Sequence, residues 1–118
     1  MKILLVDDDI MSLKITIQLL ELEGYFIWFA LNGQDALELL DEEKFDMIIL
    51  DLFMPEMGGM ELLKVLREER KNKVPIIILS RTHAQEDVNS ALECGANDFI
   101  SKPFEPEQLI ETVKKHLP

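Results

Sequence analysis

The chain has 118 residues, the size of one domain, with 47% apolar and 30% charged residues and no Pro, Ser or Gly tract to mark a linker or tail, so one unit over residues 1–118 is expected. Twelve Lys and Arg against 23 Asp and Glu leave a formal charge of −11, which opposes unaided binding to nucleic-acid phosphates or an anionic membrane. No apolar run approaches the roughly 18 residues of a membrane span, and the start "MKILLVDDD" turns acidic too soon for a signal peptide, so the expected location is the cytoplasm.

In chain order, "KILLV" (2–6) is too short for a core helix and reads as a strand; it ends on Asp7, Asp8 and Asp9. Ile10, Leu13, Ile17 and Leu20 then follow helical spacing, closed by Gly24 where a left-handed cap is needed. "YFIWFA" (25–30) is a second strand, and Ala36, Leu37 and Leu40 mark a second helix. "DMIIL" (46–50) ends on Asp51, and Gly58 and Gly59 precede a helix carrying Leu62, Val65 and Leu66. "PIIIL" (75–79) ends on Ser80, followed by Arg81 and Thr82. The fourth helix, "AQEDVNSALECG", has only Val88, Ala91, Leu92 and Cys94 as apolar anchors, and the lone Cys94 reads as a small buried hydrophobe. "NDFIS" (97–101) leads to Lys102 and Pro103; Pro106 suits a first helical turn, and Leu109, Val113 and Leu117 build a last helix closed by Lys114, Lys115 and His116. His83 and His116 fit no metal-ligand pattern and are expected to face solvent.

Strands apolar throughout, alternating with helices, imply an α/β doubly wound fold, (βα) five times, whose five-stranded parallel sheet is covered on both faces. In such sheets ligands bind at the carboxyl ends of the strands. That rim collects Asp7, Asp8, Asp9, Asp51, Ser80 and Lys102. Each alone could be a helix cap, a turn residue or a solvated charge; together they form a constellation. Two carboxylates about 4 Å apart repel by on the order of 4 kcal/mol at an effective dielectric of 20, so converging acids require a cation. An all-oxygen donor set shared with phosphate favours Mg2+, with Asp7 and Asp8 as ligands and Asp9 left open by spacing. An Asp carboxylate can attack phosphorus while a metal and a Lys neutralise charge and a Ser hydroxyl donates to a phosphoryl oxygen, roles that Asp51, Lys102 and Ser80 fit.

Through "ILLVDDD", "DMIILDLFMPEMGG", "PIIILS" and "GANDFISKPF", in that order, almost the whole chain resembles the receiver domain of two-component response regulators, the CheY-like family. The resemblance implies the flavodoxin-like strand order 2-1-3-4-5. It further implies that Asp51 is the phosphoacceptor, that Asp7, Asp8, Asp51 and the Phe53 carbonyl hold Mg2+, and that Lys102 pairs with the phosphate. Ser80 is then the switch hydroxyl, Phe99 the aromatic that turns inward, and the Lys102–Pro103 bond cis. Phosphoryl transfer from a histidine kinase or a phosphotransfer protein would reshape the surface of helix four, strand five and helix five for a downstream protein or for an output domain absent from this chain. On this resemblance the domain is expected to be no separate enzyme, catalysing only its own phosphorylation and dephosphorylation. A haloacid-dehalogenase-like phosphatase would carry a second Asp where Phe53 stands, and a phosphorylation-independent interaction module would not need the full set of acids, hydroxyl and lysine.

Three features depart from the family's pattern. Gly58 replaces a common Asp. Arg81 stands where a small residue is usual, and with Thr82 is a candidate modulator: its charge could pair with a phosphoryl oxygen and its bulk obstruct water. Phe26, Trp28 and Phe29 are unusually aromatic for an edge strand; helices are expected to bury these rings, the alternative being a partner-binding or dimer patch.

Overall fold

The computed structural model describes residues 1–54 and 57–117, so Pro55 and Glu56 of the "MPEMGG" motif lie outside the described residues. Five strands form one parallel sheet in the order β2-β1-β3-β4-β5: β1 (Lys2–Val6), β2 (Phe26–Ala30), β3 (Met47–Leu50), β4 (Ile76–Ser80) and β5 (Asp98–Ser101). The helices are α1 (Ile10–Leu22), α2 (Gly33–Glu42), α3 (Gly59–Lys64), α4 (Gln85–Glu93) and α5 (Pro106–His116). The strand order matches the expectation.

Side chains alternate across the pleat, so each central strand feeds two cores. Leu4, Val6, Ile48, Leu50, Ile76 and Ile78 pack under α2, α3 and α4, with Ala36, Leu62, Leu66 and Ala91. Ile3, Leu5, Met47, Ile49, Ile77 and Leu79 pack under α1 and α5, with Leu13, Leu20, Leu109 and Val113. This two-sided burial explains why the strands read as continuous apolar runs.

Helix three does not stop at Lys64. It continues as a π-helical turn over Val65–Glu69, with Arg70 N–H donating to Val65 O (2.9 Å) and Asn72 N–H to Leu66 O (2.8 Å). The wider turn brings Arg67 to the lower edge of the sheet, where its Nε donates to Gly95 O (2.9 Å), Nη1 to Asn72 O (2.8 Å) and Nη2 to Asn97 Oδ1 (2.9 Å). One guanidinium thus ties together the segments entering β4 and β5.

Several expectations are corrected. Phe26 and Phe29 are 65% and 54% exposed, because an edge strand has helices above and below it but none beyond its border; of the three rings Trp28 alone is half-buried, edge-on against Phe45. In α4 only Ala91 is fully buried, Leu92 is exposed, and Cys94 is half-buried against the core. His116 does not face solvent freely: its Nε2 lies 2.9 Å from Asp98 Oδ2, where β5 passes the last turn of α5. Burial alone would raise the Asp98 carboxyl, but hydrogen bonds from His116 and the Phe99 N–H, with Lys115 nearby, hold it below the usual value.

Candidate functional site

The reversal of strand order between β1 and β3 opens a crevice at their carboxyl ends. Sheet-like backbone bonds continue past the last strand residues and fix its walls: Asp7 N–H donates to Ala30 O (3.2 Å), Asp51 N–H to Val6 O (2.9 Å) and Lys102 N–H to Ser80 O (2.8 Å). The side chains that the sequence placed on one rim are therefore held by main chain rather than by flexible loops.

Asp7, Asp8 and Asp51 converge, each offering a carboxylate oxygen within 4.8 Å of the others. Asp7 and Asp51 are buried and Asp8 is exposed, so the cluster opens outward. Lys102 lies between the two buried acids, its Nζ 2.6 Å from Asp7 Oδ2 and 3.8 Å from Asp51 Oδ2. Asp51 Oδ1 accepts a long bond from the Phe53 N–H (3.3 Å). Burial pushes the Asp51 carboxyl above its ordinary range; Lys102 works against this, and the neighbouring Asp7 charge adds to it. The Ser80 hydroxyl is close enough to favour the charged form slightly, yet it is 0% exposed and closes no regular hydrogen bond among the described residues. A buried hydroxyl without a partner is costly, and an oxygen arriving on Asp51 would satisfy it. Three oxygen donors with net negative charge and, among the described residues, no competing soft ligand fit a hard divalent ion such as Mg2+.

Asp9 stands apart from this cluster. One carboxylate oxygen caps α1 by accepting from the Met11 and Ser12 N–H groups, and the other meets Arg81 Nη2 at 2.6 Å. The Ser12 and Arg81 hydrogen bonds hold its carboxyl below the usual range. Arg81 thereby reaches from the β4–α4 loop to the start of α1, and with Asp8, Asp9, Asp51 and Phe53 it lines a cleft of about 240 Å3 above the acids. Thr82 turns away: its hydroxyl donates to Asp87 Oδ2 (2.6 Å) and accepts from the Ala84 N–H, shaping the entry to α4. Phe99, paired in register with Ile78, is partly buried against the core, and the Lys102–Pro103 bond is cis.

Two features of the site escaped the sequence. Arg81 and Asp9 are 72 residues apart, and no local pattern announces their pairing. At Gly59, the first residue of α3, a Cβ would stand 2.6 Å from Leu52 Cα and 2.8 Å from Asp51 C, so this helix packs directly on the backbone that carries Asp51. The paired glycines of "MPEMGG" were the available signal.

Comparison with known proteins shows the family to which the fold belongs. The family model described as response regulator receiver domain matches residues 3–114. The transcriptional regulatory protein CpxR of Escherichia coli (strain K12) is 38% identical over 113 residues, which cover 96% of this chain and 47% of that protein. The chain thus spans about half the length of the curated relatives it matches. Among solved structures, the chemotaxis protein CheY4 of Vibrio cholerae superposes with a TM-score of 0.91 at 34% identity, covering 98% of both chains. The receiver domain of the Francisella response regulator 1452 gives 0.90 at 33% identity, covering 97% of this chain and 93% of the other.

Proposed function

Because the chain belongs to the response regulator receiver domains, regulatory rather than catalytic units of two-component signalling, we propose that Asp51 accepts a phosphoryl group and that this sets the signalling state. The observation that carries the reading is the convergence of Asp7, Asp8 and Asp51 with Lys102 between the two buried acids. In the transfer, a carboxylate oxygen of Asp51 bonds to phosphorus as the bond from phosphorus to a donor histidine nitrogen breaks, and the electron pair leaves with the imidazole. Asp7, Asp8, Asp51 and the Phe53 carbonyl would hold Mg2+, which supplies positive charge to the phosphoryl oxygens. Burial keeps the ionised Asp51 poorly solvated and hence nucleophilic, and Lys102 moves its charge from the carboxylates to the incoming phosphate.

The Ser80 hydroxyl then gains the acceptor it lacks, drawing the β4–α4 loop inward. That loop leads into α4, which Ala91 alone anchors completely, so the displacement spreads over α4, β5 and α5 with Phe99 following. A downstream protein, or an output domain beyond this chain, reads that surface. The donor is a histidine kinase or a phosphotransfer protein; apolar ground for it lies beside the acids, where Met11, Ile15, Leu19, Pro103 and Phe104 line a groove of about 320 Å3. Among the described residues no helix is long and apolar enough to cross a membrane.

The test is intact mass after treatment with acetyl phosphate and Mg2+. One phosphoryl group is expected on the wild type and none on Asp51→Asn; equal labelling of both would sink the assignment, and continuous turnover of phosphate would point to a phosphatase.

A further inference from the structure

From the exposed aromatic edge of the sheet we propose that this chain self-associates by antiparallel pairing of β2 with β2 of a second copy, joining two five-stranded sheets into one. β2 is an edge strand. Phe26 N–H donates to Met1 O (2.9 Å) and Ala30 O accepts from Asp7 N–H (3.2 Å), so residues 26, 28 and 30 turn their backbone groups toward β1. Backbone direction alternates along a strand, which leaves the N–H and C=O of Ile27 and Phe29 pointing outward.

That arrangement is self-complementary. With a two-fold axis beside Trp28, Ile27 of each copy meets Phe29 of the other. Both residues present outward-facing groups, so each of the two pairs exchanges both of its N–H···O bonds. Side chains match in the same register. On the α1 side Ile27 faces Phe29, and on the α2 side Phe26 faces Ala30. The usual guards of an edge are missing from residues 26–30: there is no Pro and no charged residue, and the pairing with β1 runs without a bulge.

The area decides what kind of dimer this is. Phe26 and Phe29 are 65% and 54% exposed, and Ile10 and Leu31, which border Phe29 in a shared apolar groove, are 55% and 37% exposed. At about 200 Å2 per large side chain, these residues bring about 800 Å2 of apolar surface to the two-fold interface, well short of the roughly 1,200 Å2 at which specific stable interfaces begin. A second copy with a charge of −11 adds repulsion that salt screens. The dimer is therefore weak, concentration-dependent and strengthened by salt.

Sedimentation equilibrium from about 10 µM to about 1 mM, at about 0.15 M and 0.5 M NaCl, reads this directly. The mass is expected to rise toward twice 13.6 kDa across the range, more steeply in the higher salt. In parallel, the Ile27 and Phe29 amides are expected to slow in hydrogen exchange only at the higher concentrations. Phe29→Pro removes an outward N–H that β1 does not use, and Phe29→Lys keeps the backbone but charges the interface; each should weaken association at least tenfold. If the proline variant melts early, the lysine variant decides. A monomer mass throughout, association that the decisive variant leaves intact, or a dimer whose Ile27 and Phe29 amides stay unprotected would each overturn the proposal.

Discussion

Gly59→Ala tests whether the site is held by the packing of α3 on the β3–α3 turn. The added Cβ would lie 2.6 Å from Leu52 Cα, 2.8 Å from Asp51 C and closer still to Asp51 O. Ordinary carbon contacts begin near 3.5 Å, so the helix start or the Asp51–Leu52 backbone must move by about 1 Å, and both are main chain, which yields less readily than a side-chain tip. Overpacking of this kind costs about 3 kcal/mol, at the upper end of small-to-large substitutions. For a domain of this length that corresponds to a melting point lower by about 10–15 °C. A nucleophile displaced by about 1 Å should also lose on the order of 100-fold in phosphorylation rate. Gly58→Ala is the internal control: its φ is −71°, and its Cβ would sit at ordinary contact distances, 3.4 Å from Leu52 O and 3.9 Å from Met54 O. Thermal melts and acetyl phosphate labelling of both variants separate the two glycines. If Gly59→Ala melts within a few degrees of Gly58→Ala and labels as fast as the wild type, the close approach does not constrain the site.

Burial raises the folded-state value of Asp51 above its ordinary 3.8, so its ionised form costs stability; that cost is absent at acid pH and appears as the pH rises through the raised value. Asp51→Asn should therefore melt higher than the wild type at neutral pH, with the gap closing toward about pH 3 and narrowing with Mg2+; equal melting points at neutral pH would refute this. Arg81→Ala should shorten the lifetime of the Asp51 phosphate, with Arg81→Met separating lost charge from lost bulk, while the melting point stays close to the wild type because the ion pair with Asp9 lies at the solvent-facing surface. Wild-type decay in the alanine variant would leave Arg81 as a surface residue. Ile15→Lys, on the exposed apolar face of α1, should slow phosphoryl transfer from a protein donor at least tenfold but leave acetyl phosphate labelling unchanged, and slowing of both would mean a disturbed site instead of a docking face. Arg67→Ala removes three hydrogen bonds and should cost about 2–4 kcal/mol in urea unfolding, with little recovery in Arg67→Lys, which lacks the planar fork; full recovery by lysine would show that charge alone matters there.

The sequence by itself determined the five strands, the helices between them and the residues at the strand ends. Each of these is written locally: an apolar run of four or five residues, rich in β-branched or aromatic side chains and bounded by helical segments, reads as a strand, and a carboxylate, hydroxyl or lysine directly after it emerges at the carboxyl rim. Asp7, Asp8, Asp51, Ser80 and Lys102 were legible for that reason, since parallel strands all end on the same side. Contacts between segments distant in the chain were decided only by the tertiary structure. Asp9 became a cap and the partner of Arg81 because the β1–α1 and β4–α4 loops meet over the cleft. His116 left solvent because the end of α5 passes β5 beside Asp98. Phe26 and Phe29 remained exposed because β2 falls at the border of the sheet, a position set by strand order and invisible in its own apolar pattern. Local periodicity says that a residue should be covered; only the packed sheet determines whether another element lies there to cover it.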